Sequence, residues 1–280
     1  MPRGPGQGEA ARGPVAGPRF HILSGVAVAF VILYLAVIVA LVVADIYSTN
    51  AASLRHVFGS PEIRAAMLLS LLTSGASLLL ILVFAVPVGY ALSRYQFPGH
   101  VLVDTLVDLP IVLPPVVVGF SLLVFFSTPV GRWIESLGVQ FTYHVGGIIL
   151  CQFIVSASFG IRAVAAAFDA ADPRLEQLAL TLGCTPLQAF WRVALPMARN
   201  GIADGGIVAW AHAVGIFGPL MVFVGSVRRK TEVMPTSIYL ELTVGRLEIA
   251  LAIALVMLAM ASMALIVIHS LAPGRRWWGR

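Results

Sequence analysis

Charge is what this sequence has least of. Asp, Glu, Lys and Arg make up 11 % of its 280 residues, against about 25 % in soluble domains, which need them to hold a hydration shell. That shortage excludes an ordinary water-soluble protein. Cysteine is scarce too: Cys151 and Cys184 are the only two. They lack metal-ligand spacing and read as small apolar filler, so no metal site is expected. No Gly-x-x-x-x-Gly-Lys-Ser/Thr phosphate loop occurs, and the chain cannot hydrolyse ATP by that route. A paired-histidine metal motif and a nucleophile elbow are also missing. No acidic or histidine chain crosses the apolar segments, as a proton relay requires. Neither a catalytic residue nor a cofactor is implied.

What the sequence does have is apolar length. Hydrophobic residues reach 59 % and mean hydropathy is +0.94. Runs of roughly 20 apolar residues recur, each long enough to cross a bilayer as a helix. The expected fold is all-α and polytopic, with six spans at about 22–45, 62–92, 101–127, 144–168, 199–225 and 247–270. Residues 1–20, rich in Gly, Pro and Arg, read as a disordered tail. Residues 21–272 form the membrane domain, and 273–280 a second tail. The first apolar run is too long for a cleaved signal peptide and reads as a retained span. The net charge of +5 is dispersed between apolar runs, with no basic face or aromatic platform for nucleic acid.

Arg and Lys divide eleven against seven between the two sides of a six-span chain. The modest bias places both termini in the cytoplasm. The fifth span is the least apolar, with Gly201, Asp204, Gly205, Gly206, His212, Gly215 and Gly218; so many glycines suit close helix packing inside a bundle. Pro61 and Glu62 suit the start of the second span. Between the fourth and fifth spans lies the largest cytoplasmic loop, 169–198. Leu175, Leu178, Leu182, Leu187, Phe190 and Val193 recur there at helical spacing, broken by Gly183 and Pro186 into two short helices. A helix pair with an apolar stripe wants a partner surface.

The text of that loop, from Glu176-Gln177-Leu178-Ala179 through Leu182-Gly183 to Val193, Leu195 and Pro196, resembles the EAA loop of permeases of binding-protein-dependent ABC importers. The triplet departs from the family pattern, standing as Gln177-Leu178-Ala179 with Glu176 one place early. The resemblance implies a coupling helix that lies in a cleft of a separate ATPase subunit. Glu176, Gln177, Ala179, Leu182, Gly183, Val193, Leu195 and Pro196 are the positions so implied. Two flanking stretches, Asp108 to Gly119 and Trp210 to Gly218, are similar to the third and fifth spans of molybdate, tungstate and sulfate permeases. Ile216 stands where that group usually has glutamate. A third stretch, from Lys230 to Leu242, is similar to the group's external segment.

Pro110, Pro114 and Pro115 cannot all sit in one regular helix, so the third span is expected to be kinked or unwound. Pro114, Pro115, Gly119 and Ser121, with Gly215, Ile216, Phe217 and Gly218, are the candidate pore and gate residues. A kink that only packs helices is the other reading. Asp104 and Asp108 share a helix face, with Arg162 as their plausible partner, although separate solvated groups fit as well. Arg228, Arg229 and Lys230 form an external basic cluster that either steers an anion or binding protein or is simply a solvated loop.

The family resemblance thus implies a permease subunit of the MetI-like type I architecture in a bacterial inner membrane. It would move a small oxyanion of the molybdate, tungstate or sulfate type by alternating access. The implied partners are ATPase subunits, an extracytoplasmic binding protein and a second permease copy, all within membrane lipid. A metal or organic cargo remains open, as does an ion-coupled secondary transporter.

Overall fold

The computed structural model describes residues 18–271, and side chains over 25–266. The tails expected at 1–20 and 273–280 fall outside it, except that helix α1, Pro18–Ser48, already begins within the first. It is followed by α2, Ala51–Gly59, and α3, Pro61–Arg94. Next come α4, His100–Val112, α5, Pro115–Ser127, α6, Pro129–Ser136, and α7, Val145–Asp169. The remainder is α8, Pro173–Thr181, α9, Pro186–Ala189, α10, Leu195–Gly215, α11, Gly218–Phe223, α12, Met234–Thr243, and α13, Leu247–Leu271. No strand occurs among the described residues.

Four helices are long and apolar enough to cross a membrane: Gly25–Ser48, Pro61–Arg94, Val145–Asp169 and Leu247–Ile266. The pair α4 and α5, bent by 109° at Leu113–Pro114, makes a fifth if counted as one broken span. Pro114 and Pro115 cause the break, because neither can donate a backbone hydrogen bond to continue α4. α10 is 21 residues long but too polar to join that set, in keeping with its glycines, Asp204 and His212. α1 forms one compact unit by itself and the chain from Thr49 onward forms another. The helix start expected at Pro61 is present: Ser60 Oγ caps Ile63 N at 3.5 Å and donates to Glu62 at 2.9 Å.

The centre of the second unit is α3 against α7 and α10. Ile81, Ala85, Ile161, Val164, Phe168 and Ala209 form its core. Small residues set the spacing: a Cβ placed on Gly205 would lie 2.7 Å from Ala163 Cβ, and one on Gly160 would lie 2.7 Å from Ile81 Cγ2. Between helices in lipid, where the hydrophobic effect offers little, such close approach and interhelical hydrogen bonds carry association. Trp210 Nε1 donates to Ser74 Oγ at 3.1 Å, and Ser77 Oγ donates to Gln152 Oε1 at 3.0 Å. A second core, of Val118, Leu122, Phe126, Ile148, Cys151 and Phe223, joins α5, α7 and α11, so Cys151 serves as apolar filler.

Gly205→Leu should therefore cost about 3 kcal/mol by overpacking the α7–α10 contact, read as a lower unfolding temperature in detergent. Gly75→Ala, where an added Cβ meets nothing within 4 Å, should leave that temperature unchanged or raise it.

Candidate functional site: the 169–198 loop and the two broken helices

The loop is built by local signals. Asp172 caps α8 by accepting from Arg174 N at 2.9 Å. Just past the end of α8 stands Gly183, whose φ of +90° is the left-handed conformation that glycine adopts at no steric cost. Cys184 N donates back to Ala179 O at 3.0 Å. Thr185 and Gln188 form a reciprocal capping box at the start of α9, with Pro186 in its first turn. A π-helical turn, Phe190–Ala194, then runs directly into α10, so the fifth helix starts earlier than the expected 199.

The acidic head of the loop points inward. Glu176 is buried; its Oε1 accepts from Arg94 Nε at 2.9 Å and its Oε2 from the Tyr90 hydroxyl at 2.8 Å. Arg94 also donates to Ala171 O at 2.9 Å, and Ser93 Oγ donates to Asp169 at 2.5 Å. The Tyr90 ring stands edge-on to Phe168 and Phe190, with centroids 5.1 and 4.8 Å away. The end of α3 therefore grips α8, the end of α7 and the start of the π turn together. Ala179 is buried, and Val193 and Leu195 are partly buried, while Gln177 and Pro196 are exposed. The apolar tip faces outward: Leu182 is 78 % exposed and Leu187 67 %. Tyr90 and Arg94 were not among the sequence-derived candidates, because nothing local pairs them with a residue more than 80 positions away.

The candidate pore residues divide. A Cβ on Gly119 would lie 2.6 Å from both Pro219 Cα and Pro219 O, and one on Gly218 would lie 2.6 Å from Val116 Cγ2. The breaks of the third and fifth spans are thus packed on each other within one chain. Pro114, Pro115, Ser121 and Gly215 are exposed and Phe217 is partly buried, its ring 5.3 Å from that of Tyr239. Ile216, one of the candidate pore and gate residues, is only 6 % exposed and belongs to the core with Val118 and Leu122. A cavity of about 330 Å³ opens beside the breaks, bordered by Pro115, Val155, His212 and the Gly215–Pro219 stretch.

Arg162 does join the two aspartates. Its Nε and Nη2 donate to the Asp108 carboxylate at 2.5 and 2.6 Å, and Nη1 donates to Asp104 at 2.5 Å. No residue of α4 is buried, so this fork to α7 is its principal polar anchor. The basic cluster, by contrast, is not one positive patch. Arg228 Nη2 donates to the buried Glu241 at 2.7 Å, and Arg246 lies 3.7 Å from the same carboxylate. Arg229 and Lys230 remain exposed. Beside them Glu232 is 3 % exposed; Oε1 accepts from Ser237 at 2.7 Å and Oε2 has no hydrogen-bond partner. Burial pushes its carboxyl above the usual range, against the pull of Ser237 and Arg228.

Arg94→Met would leave Glu176 buried without its cation, at a cost of about 3 kcal/mol; limited proteolysis should then cut within 169–185 before any other loop. A raised carboxyl pKa favours the protonated form in the fold, so the Glu232 contribution is full below the unfolded value near 4.5 and is lost as pH rises through the folded value. Glu232→Gln should accordingly raise the unfolding temperature increasingly as pH rises above that unfolded value, with the gain vanishing below it, as followed by thermal unfolding across a pH series.

Residues 83–277 match the family model described as "Binding-protein-dependent transport system inner membrane component". The chain is 31 % identical over 263 residues to the sulfate transport system permease protein CysT of Escherichia coli, covering 92 % of this chain and 95 % of that one. It is 34 % identical over 211 residues to the molybdenum transport system permease protein ModB of the same species, covering 74 % and 92 %. With the molybdate/tungstate permease WtpB of Thermococcus kodakarensis it shares 38 % over 193 residues, covering 69 % and 73 %. Among solved structures, a bacterial ABC transporter involved in the import of alginate superposes with a TM-score of 0.74 at 20 % identity, over 91 % of this chain and 96 % of that one, which speaks to the fold alone. The bent third span, the inward-anchored loop and these relatives agree: the chain belongs to the inner-membrane permease family of binding-protein-dependent ABC importers.

Proposed function

We propose that this permease admits a small tetrahedral oxyanion by alternating access, as a homodimer driven by separate ATPase subunits and loaded by an extracytoplasmic binding protein. The observation that carries the coupling half is the exposed tip of Leu182, Gly183 and Leu187 on a base fixed by Glu176, Arg94 and Tyr90. A rigid apolar knob fits a cleft and transmits rigid-body motion. The cargo class is supported by the sulfate, molybdate and tungstate permeases among the relatives.

In this reading the 169–198 loop and both termini are cytoplasmic, and the 226–246 segment, where Arg228 is neutralised and Arg229 and Lys230 are free to meet an acidic surface, is external. The packed breaks at Leu113–Pro114 and Ile216–Phe217 lie beside the path between the two copies. Closure of the ATPase pair draws the two knobs together and turns each bundle about the path, with no bond of the substrate made or broken.

Leu182→Asp places a charge in a desolvated contact and should weaken ATPase co-purification roughly thirtyfold, the scale of a lost 2 kcal/mol hot spot, while membrane insertion persists. Gly183→Pro should uncouple ATP hydrolysis from uptake; full uptake in both variants would end the coupling assignment. In a background without Cys151 and Cys184, Ser226→Cys should react with an impermeant thiol reagent from outside, and Thr185→Cys only after the membrane is opened. The reverse pattern would invert the topology.

A further inference from the structure

The cavity beside the two breaks holds a polar side chain that the coupling account does not use. At about 330 Å³, and about 30 Å³ per water, it has room for a tetrahedral oxyanion that keeps part of its hydration. Its walls of Pro115, Val155, Ile216, Phe217 and Pro219 offer no side-chain donor, and His212 stands among them. The ring is held on two sides. Nδ1 lies 3.1 Å from Ser156 Oγ, and the Phe159 ring lies 4.4 Å away, tilted by 37°. Ser156 is fully buried midway along α7, so the site sits at the middle of a spanning helix.

The 3.1 Å contact between Ser156 Oγ and Nδ1 is satisfied by either tautomer; in the one where the hydroxyl donates to Nδ1, the neutral ring carries its proton on Nε2. Nε2 has no hydrogen-bond partner among the described residues. An anion at this depth has lost much of its water, and apolar walls return none of that free energy. We propose that His212 contacts the oxyanion within the translocation path, donating from Nε2 to an anion oxygen while Ser156 and Phe159 hold the ring. The inference rests on the oxyanion reading above. A single donor binds weakly, which suits conduction: the site must be favourable enough to enter and weak enough to leave. Ser156 acts as a positioning residue, through the ring.

The test uses the full complex of permease, ATPase and binding protein in proteoliposomes, with radiolabelled sulfate, molybdate and tungstate as probes and ATP hydrolysis recorded on the same vesicles. In His212→Ala the number of ions delivered per ATP should fall about tenfold, the scale of one hydrogen bond to a charged group. His212→Asn, which retains an N–H donor, should recover roughly a third of the wild-type ratio, and Ser156→Ala should lie between wild type and His212→Ala. Should His212→Ala fail to assemble, His212→Leu keeps the bulk and carries the comparison. An unchanged ratio in the alanine or leucine variant would overturn the inference, as would an asparagine variant no better than alanine, which would reduce the ring to packing. A wild-type complex that carries none of the three ions would overturn the oxyanion reading itself. Wild-type transport with an indifferent position 212 would sink the inference about His212 alone.

Discussion

Everything that makes the 169–198 loop more than a connector depends on one buried carboxylate. Glu176 accepts from both Arg94 and Tyr90, and through them the end of α3 holds α8 in place. Helices of nine and four residues, as α8 and α9 are, do not persist alone in water, since nucleation outweighs so few hydrogen bonds. A buried ion pair adds little net stability, because desolvation offsets most of the Coulomb gain. What it supplies here is a fixed geometry: the base of the loop cannot slide on the bundle without stranding a charge. Leu182 and Leu187 are thereby held exposed, at the tip of a loop whose base is anchored.

The membrane part obeys a different constraint. Unpaired backbone groups are tolerated at membrane depth only where protein or a watery cavity receives them. The two breaks, at Leu113–Pro114 and Ile216–Phe217, meet that condition by lying on each other: Gly119 sits against the backbone of Pro219, and Gly218 against Val116. α4, with no buried residue of its own and a polar fork to Arg162, is the lightly held arm of this joint. The same interruption that bends the third span thus opens the cavity beside His212.

Much of this was legible in the sequence. Of the six expected spans, apolar run length located the first, second, fourth and sixth, and the third as the bent α4–α5 pair; α10, at the place of the fifth, is too polar to be located that way. Pro114 and Pro115 announced the bend through chemistry that no context repairs, and Gly183 with Pro186 announced the two short helices. The four-residue spacing of Asp104 and Asp108 pointed to a shared partner, which Arg162 proved to be. Contacts between distant segments were the part that stayed hidden. Nothing local shows that the Glu176 carboxylate turns inward until Arg94, more than 80 positions earlier, is brought beside it. Ile216 reads as a gate residue until α5 and α11 close around it. The basic run at Arg228 reads as either a steering patch or a solvated loop, and nothing local shows that Glu241 is folded back onto it from α12. Nor does any local signal show that Glu232 is buried: a carboxylate in a charged loop looks solvated in one dimension.

The central claim, that this fold moves an oxyanion at the expense of ATP held by another subunit, is tested most directly by accumulation in sealed proteoliposomes containing the permease and the binding protein, with and without the ATPase. The account predicts ATP-dependent uptake of sulfate, molybdate or tungstate that disappears when the ATPase is omitted and is indifferent to collapse of proton and sodium gradients. Uptake that persists without the ATPase and follows an ion gradient would contradict it.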